Sequence, residues 1–192
     1  MKGAFLAQEV SKWDSSPELP NRGLVQVFTG DGKGKTTAAL GAVIRALGQG
    51  RRAFIVFFMK GEYPYGERKV LAELSHVEVV GFGSLDFVNP TDIRPEDRKQ
   101  AQLALSAGRE AMLSGQYDVV VLDEINVAVA FGLIPLAEVI KLIQDKPPQV
   151  ELIITGRKAA PELVKMADLV TECLKIKHPY DRGVGPRPGI EY

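Results

Sequence analysis

Residues 29–37, Thr-Gly-Asp-Gly-Lys-Gly-Lys-Thr-Thr, follow the apolar run Leu24–Phe28 and are the first with the makings of a chemical site. Glycines at alternate positions let a backbone turn its amides toward one anion, and a helix opening at the end of such a loop adds partial positive charge. Lys35 stands where its ammonium reaches phosphate oxygens, the Thr36 hydroxyl where it binds Mg²⁺, and Thr37 where it adds a hydrogen bond. The usual phosphate-loop pattern has a glycine at the position of Thr29. Wrapping the anion therefore falls to Gly30, Gly32 and Gly34, with Asp31 and Lys33 between them.

A second constellation lies in "YDVVVLDEIN", residues 117–126. Its apolar run ends in Asp123 and Glu124, two carboxylates at the carboxyl end of a buried strand, where ligands of open α/β sheets gather. One acid suits a metal, directly or through water, and the other suits orienting water or substrate. In "ITGRKAAPE", residues 154–162, Thr155, Gly156 and Arg157 again follow a strand; Arg157 reads equally as a phosphate ligand or a solvated arginine. "MKGEYPYGER", residues 59–68, leaves another strand at the same edge, with Lys60, Glu67 and Arg68 available to a nucleotide or second substrate. His76 and His178 lack metal-ligand spacing and read as non-catalytic, and Cys173 reads as a small buried apolar residue. No serine sits in a nucleophile elbow. The chain is rich in phosphate handling and offers no protein nucleophile.

The elements that must hold these groups alternate along the chain. Apolar, β-branched runs at Leu24–Phe28, Ala53–Phe58, Val77–Val80, Val119–Leu122, Val150–Ile154 and, more weakly, Leu169–Ile176 predict strands buried on both faces. Helical spacing covers 36–48 and 95–114, and Pro135 and Pro161 open two shorter helices. This order predicts an α/β fold: a single domain with a mostly parallel sheet flanked by helices. Residues 1–22 read as an irregular polar arm, gripped only by Trp13 and the "AFLA" segment, and residues 23–192 as one phosphate-loop nucleotide-binding domain. The 192 residues suit one core. Lys plus Arg and Asp plus Glu balance at 24 each, so no overall field draws the protein to nucleic acid or an anionic membrane. One cysteine excludes an internal disulfide and points to a reducing compartment, the cytoplasm. No apolar stretch approaches the roughly 18 residues of a membrane helix, and "GAFLA" is too short for a signal-peptide core.

Taken in order, "TGDGKGKTTAALG", "KGEYPYGER", "GFG", "VVVLDEIN", "LIITGR", "ADLVTE" and "KHPYDRGV…GIEY" resemble the ATP:corrinoid adenosyltransferases of cobalamin biosynthesis, from about Leu24 to Tyr192. The resemblance implies a RecA-like phosphate-loop fold. It also implies transfer of the 5′-deoxyadenosyl group of ATP to the cobalt(I) of a reduced corrinoid (cobalamin, cobinamide or cobyrinic acid a,c-diamide), with release of triphosphate. Mg²⁺ or Mn²⁺, a homodimer and a flavoprotein reductant come with it. Carried onto this chain, Gly30 to Thr37 hold the triphosphate, Glu124 with Thr36 helps hold the metal, and Arg45 on the first helix falls where a family arginine occurs. In some relatives "GF" is followed by threonine and tryptophan, and an aromatic pair there helps displace the corrinoid's lower axial ligand. Here Phe82 matches, Ser84 stands where the tryptophan would be, and Phe87 is the candidate to compensate. A cobalt(I) corrinoid is itself a strong nucleophile, which fits the missing protein nucleophile.

Two other classes remain open at this level. A phosphate-loop kinase or ATPase would move the γ-phosphoryl group and make ADP, although no arginine-rich lid segment is evident. A regulatory module would bind ATP without chemistry.

Overall fold

The computed structural model describes residues 22–61, 65–84 and 88–192. Six strands form one sheet: β1 (Val25–Thr29), β2 (Ala53–Phe57), β3 (Val77–Gly81), β4 (Val119–Asp123), β5 (Glu151–Thr155) and β6 (Leu169–Glu172). Their order is β3-β2-β4-β5-β1-β6, and every neighbouring pair is parallel. The connecting helices are α1 (Lys35–Gly48), α2 (Gly66–Glu73), α3 (Pro95–Leu113), α4 (Ile125–Ala130), α5 (Leu136–Gln144) and α6 (Pro161–Met166). A 3₁₀ turn follows at Pro179–Arg182.

The continuous apolarity of the central strands has a direct cause. Every residue of β2 and β4 is buried, and successive side chains enter different cores. Val27, Val56, Leu122 and Ile154 pack with Ala104 and Met112 of α3 and Val139 and Leu142 of α5. On the opposite face Ile55, Val121 and Ile153 meet Ala39 and Val43 of α1. These two residues are one helical turn apart and small enough to let α1 lie close to the sheet.

Two helices lie where the sequence reading had none. α2 begins inside the stretch read as a loop and buries only Leu71, so its apolar period was too faint to read. α4 starts immediately after Glu124, as part of the turn that ends β4. Pro95 and Pro161 open their helices as expected, whereas Pro135 is the residue just before α5. β6 ends at Glu172, short of the expected Ile176. Of the proposed arm only Arg22 is among the described residues; Trp13 and "AFLA" lie outside them.

Candidate active site

Parallel strands bring their carboxyl ends to one edge of the sheet, and β2, β4, β5 and β1 are consecutive there. The residues that follow these strands open onto a cavity of about 620 Å³. Its walls include Gly32, Lys33, Gly34, Lys35, Thr36 and Thr37 from the glycine-rich loop, Glu124 after β4 and Arg157 after β5.

The loop conformation explains its glycines. Gly34 precedes α1 with φ 110°, a left-handed conformation that side chains disfavour. The back of the loop lies against the chain leaving β6: the Gly32 amide donates to the Cys173 carbonyl at 2.7 Å. A Cβ on Gly32 would stand 2.5 Å from the Leu174 carbonyl oxygen, and one on Gly30 2.5 Å from that of Cys173. Lys35, the first residue of α1, is 6% exposed and donates to the Gly32 carbonyl at 2.6 Å. Burial lowers its pKa below the ordinary lysine value, against the pull of Glu124, and Arg157 lowers it further. An anion entering the cavity would relieve that cost.

The acidic pair divides its work. Asp123 is buried, with Oδ1 accepting from the Thr155 hydroxyl at 2.7 Å and Oδ2 from the Lys60 ammonium at 2.6 Å. Both oxygens are engaged, and Asp123 does not line the cavity. That departs from its expected place at a metal. Glu124 adopts a left-handed φ of 67°, rare for a residue with a side chain, and its amide donates to the Thr155 hydroxyl at 3.0 Å. This turn sets Glu124 on the cavity wall while Asp123 stays in the protein; such strain persists only where surrounding contacts enforce it. Burial and the Asp123 charge raise the Glu124 pKa, while Lys60, Lys35 and Arg157 oppose the rise.

The Glu124 carboxyl and the Thr36 hydroxyl both line the cavity, and oxygen donors of this kind suit a hard divalent cation that takes its remaining oxygens from phosphate and water. Among the described residues there is no group of three or more His, Cys, Asp or Glu fit to hold a metal by themselves.

Several expected residues lie elsewhere. Gly30 and Asp31 belong to the loop but not to the cavity wall. Arg45 is exposed on α1, ten residues beyond Lys35 and so about 15 Å along the helix axis. Phe82 is half-buried against the larger core cluster, outside the cavity. Phe87 lies outside the described residues.

Other residues join the site. Lys60, Tyr65, Gly66 and Glu67 also line the cavity, as does the C-terminal segment Gly189–Tyr192. The C-terminal tail thus forms part of the site. Glu191 pairs with Lys33 of the loop and with Arg187. Bonds first from Arg187 and then from Lys33 hold its carboxyl at a pKa of about 2. His178 also reaches the wall, where its Nδ1 accepts the Tyr180 amide at 3.2 Å. A loop-to-tail ion pair has no local sequence signal. Thr155, by contrast, is a polar residue closing the apolar run of β5, a readable sign of a strand-end role.

A glycine-rich loop joining the first strand to a helix, with lysine, hydroxyl and acidic strand end on one cavity, defines a phosphate-loop nucleotide-binding protein. The family model for ATP:corrinoid adenosyltransferases of the BtuR/CobO/CobP type matches residues 21–192. The corrinoid adenosyltransferase of Escherichia coli K12 is 37% identical over 172 residues, which cover 89% of this chain and 86% of that protein. The corrinoid adenosyltransferase CobA of Salmonella typhimurium is 38% identical, also over 89% of this chain and 86% of its own length. That of Pseudomonas aeruginosa is 35% identical over 89% of this chain and 84% of its own. The chain belongs to the ATP:corrinoid adenosyltransferase family.

Proposed function

We propose that the protein transfers the 5′-deoxyadenosyl group of ATP to the cobalt(I) of a reduced corrinoid and releases triphosphate. The observation that carries this reading is the combination of family membership with a cavity rich in phosphate ligands. In the reaction the cobalt electron pair forms the bond to the ribose 5′-carbon. The C5′–O bond breaks, and the triphosphate leaves with that bond's electrons. No proton need be taken from the nucleophile, so the protein's task is orientation and charge stabilisation.

The loop residues that line the cavity, from Gly32 to Thr37, and the ammonium of Lys35 hold the triphosphate, with Arg157 completing the cradle, while the Gly32 amide stays bound to the Cys173 carbonyl. Thr36 and Glu124 would hold Mg²⁺ or Mn²⁺, which supplies charge neutralisation at the phosphates when bound. By family correspondence Phe82 is assigned to the corrinoid side and Arg45 to ATP, and Phe87 is the candidate to compensate for the missing tryptophan. A homodimer, a flavoprotein reductant and a cytoplasmic setting complete the proposal; among the described residues no helix is long and apolar enough to cross a membrane.

The test is incubation of the protein with Mg-ATP and a chemically reduced corrinoid under anaerobic conditions, followed by absorbance of the alkyl-cobalt product and its photolysis. A light-sensitive adenosylated corrinoid is expected, and its formation stops when the divalent cation is chelated. ADP formation without alkyl-cobalt product would instead establish the kinase or ATPase reading.

A further inference from the structure

Asp123 stands where a strand-end acid is expected to serve a metal, yet its oxygens serve a threonine and a lysine. That lysine, Lys60, is held unusually firmly for a long side chain leaving a loop. Its ammonium is 2.6 Å from Asp123 Oδ2, and its side chain is 14% exposed. It also lies 5.3 Å from the Phe57 ring centre and 5.2 Å from that of Tyr65. The backbone beneath it is pinned from three sides. The Lys60 amide donates to the Phe82 carbonyl at 3.0 Å, and Arg68 donates to the carbonyls of both Lys60 and Gly61. The Arg68 guanidinium in turn lies 5.0 Å from the Phe57 ring centre. Across this loop, Gly61 and Gly83 bring two backbones so close that a Cβ on Gly83 would stand 2.8 Å from the Met59 Cα.

A buried ion pair held only for stability would gain nothing from facing an open cavity. Lys60 does face it, on the same wall system as Lys35, Glu124 and Arg157. An ammonium carries three donors, and among the described residues Asp123 takes one of them. A triphosphate carries more negative charge than the loop lysine, Arg157 and a divalent cation neutralise together once the Glu124 carboxylate on the same cavity is counted. We infer that Lys60 is a second triphosphate-binding lysine, contacting the leaving group alongside the glycine-rich loop. Asp123 and Arg68 are its positioning residues. Asp123 sets the ammonium in place and keeps it charged, and Arg68 fixes the backbone from which it projects. This inference rests on the proposed reaction, in which the triphosphate leaves whole.

The experiment is equilibrium binding of inorganic triphosphate to the full chain, with adenosine as the uncharged comparison. The double variant Lys60→Met/Asp123→Asn removes the ammonium without orphaning a buried carboxylate and leaves the net charge of the site unchanged. A lost contact is therefore read rather than a changed field. Lys60→Gln, whose amide still donates to Asp123, is the second variant, and the urea midpoint reports the fold of each. Triphosphate affinity is expected to fall by about tenfold or more in both variants while adenosine affinity holds. Triphosphate affinity within about twofold of the parent in a folded variant overturns the inference. Product analysis of the parent judges the adenosyl-transfer reading separately: a parent that makes ADP defeats that reading, and the binding comparison still decides the role of Lys60.

Discussion

Replacing Thr155 with valine keeps the shape of the side chain and deletes one hydroxyl, which in this structure serves two partners. The hydroxyl is fully buried, donates to Asp123 Oδ1 at 2.7 Å and accepts the Glu124 amide at 3.0 Å. Losing a hydrogen bond to a buried charge costs about 1.5–3 kcal/mol, and losing the neutral one about 1 kcal/mol. The sum, about 2.5–4 kcal/mol, would lower Tm by about 5–15 °C for a chain of this size. Urea unfolding and calorimetry read the stability directly. Activity should fall as well, because the Thr155 hydroxyl holds Glu124 in its left-handed turn, and the loss should appear mainly in kcat. A destabilisation below about 0.5 kcal/mol, within the ordinary scatter of surface substitutions, would refute the argument that this hydroxyl organises the acidic strand end.

Lys35→Ala removes a charge-assisted phosphate contact of about 1.5–3 kcal/mol, so kcat/KM for ATP should fall about 10- to 150-fold; near-parental turnover would count against the loop assignment. Gly32→Ala should raise KM for ATP at least about tenfold, because the added Cβ meets the backbone carbonyls of Cys173 and Leu174, which cannot swing away. Gly41→Ala on α1, with nothing within 4 Å of the new Cβ, should leave kinetics unchanged and stabilise the helix by about 0.5–1 kcal/mol. If the two alanine variants behave alike, the close-packing argument fails. Asp97, at the start of α3, is held below the usual carboxylate pKa, first by side-chain bonds from Arg94 and then, against burial, by the Arg94 amide and Ser84. Its stabilisation is fully present above the unfolded value of about 3.9 and is lost as pH falls through the lower folded value. The urea midpoints of the parent and Asp97→Asn should therefore differ at neutral pH and converge in acid; a gap unchanged from neutral pH to about pH 3 would contradict this.

The fold was legible wherever one physical signal dominated. β2 and β4 bury every residue, so their unbroken apolar runs mark them as internal parallel strands. The glycine-rich loop was legible for a different reason: backbone wrapping of an anion constrains residue types over a short span, and Gly32 through Thr37 do face one cavity. α2 was not legible, because a helix that buries only Leu71 leaves almost no apolar period. Asp123 exposes the limit of reading a strand-end acid pair from sequence. Residue spacing placed both carboxylates at the edge, but the left-handed turn at Glu124 sends one into the cavity and leaves the other to Thr155 and Lys60. The tail's role depends on Glu191 meeting Lys33 across 158 positions of sequence, a distance over which spacing carries no information.

Adenosyl transfer breaks the bond at the ribose end of the phosphate chain. Phosphorus NMR of the products formed from Mg-ATP and a cobalt(I) corrinoid tests it most directly. Inorganic triphosphate is expected, released in equal amount to the adenosylated corrinoid. ADP with inorganic phosphate, or ADP with a phosphorylated acceptor, would contradict it.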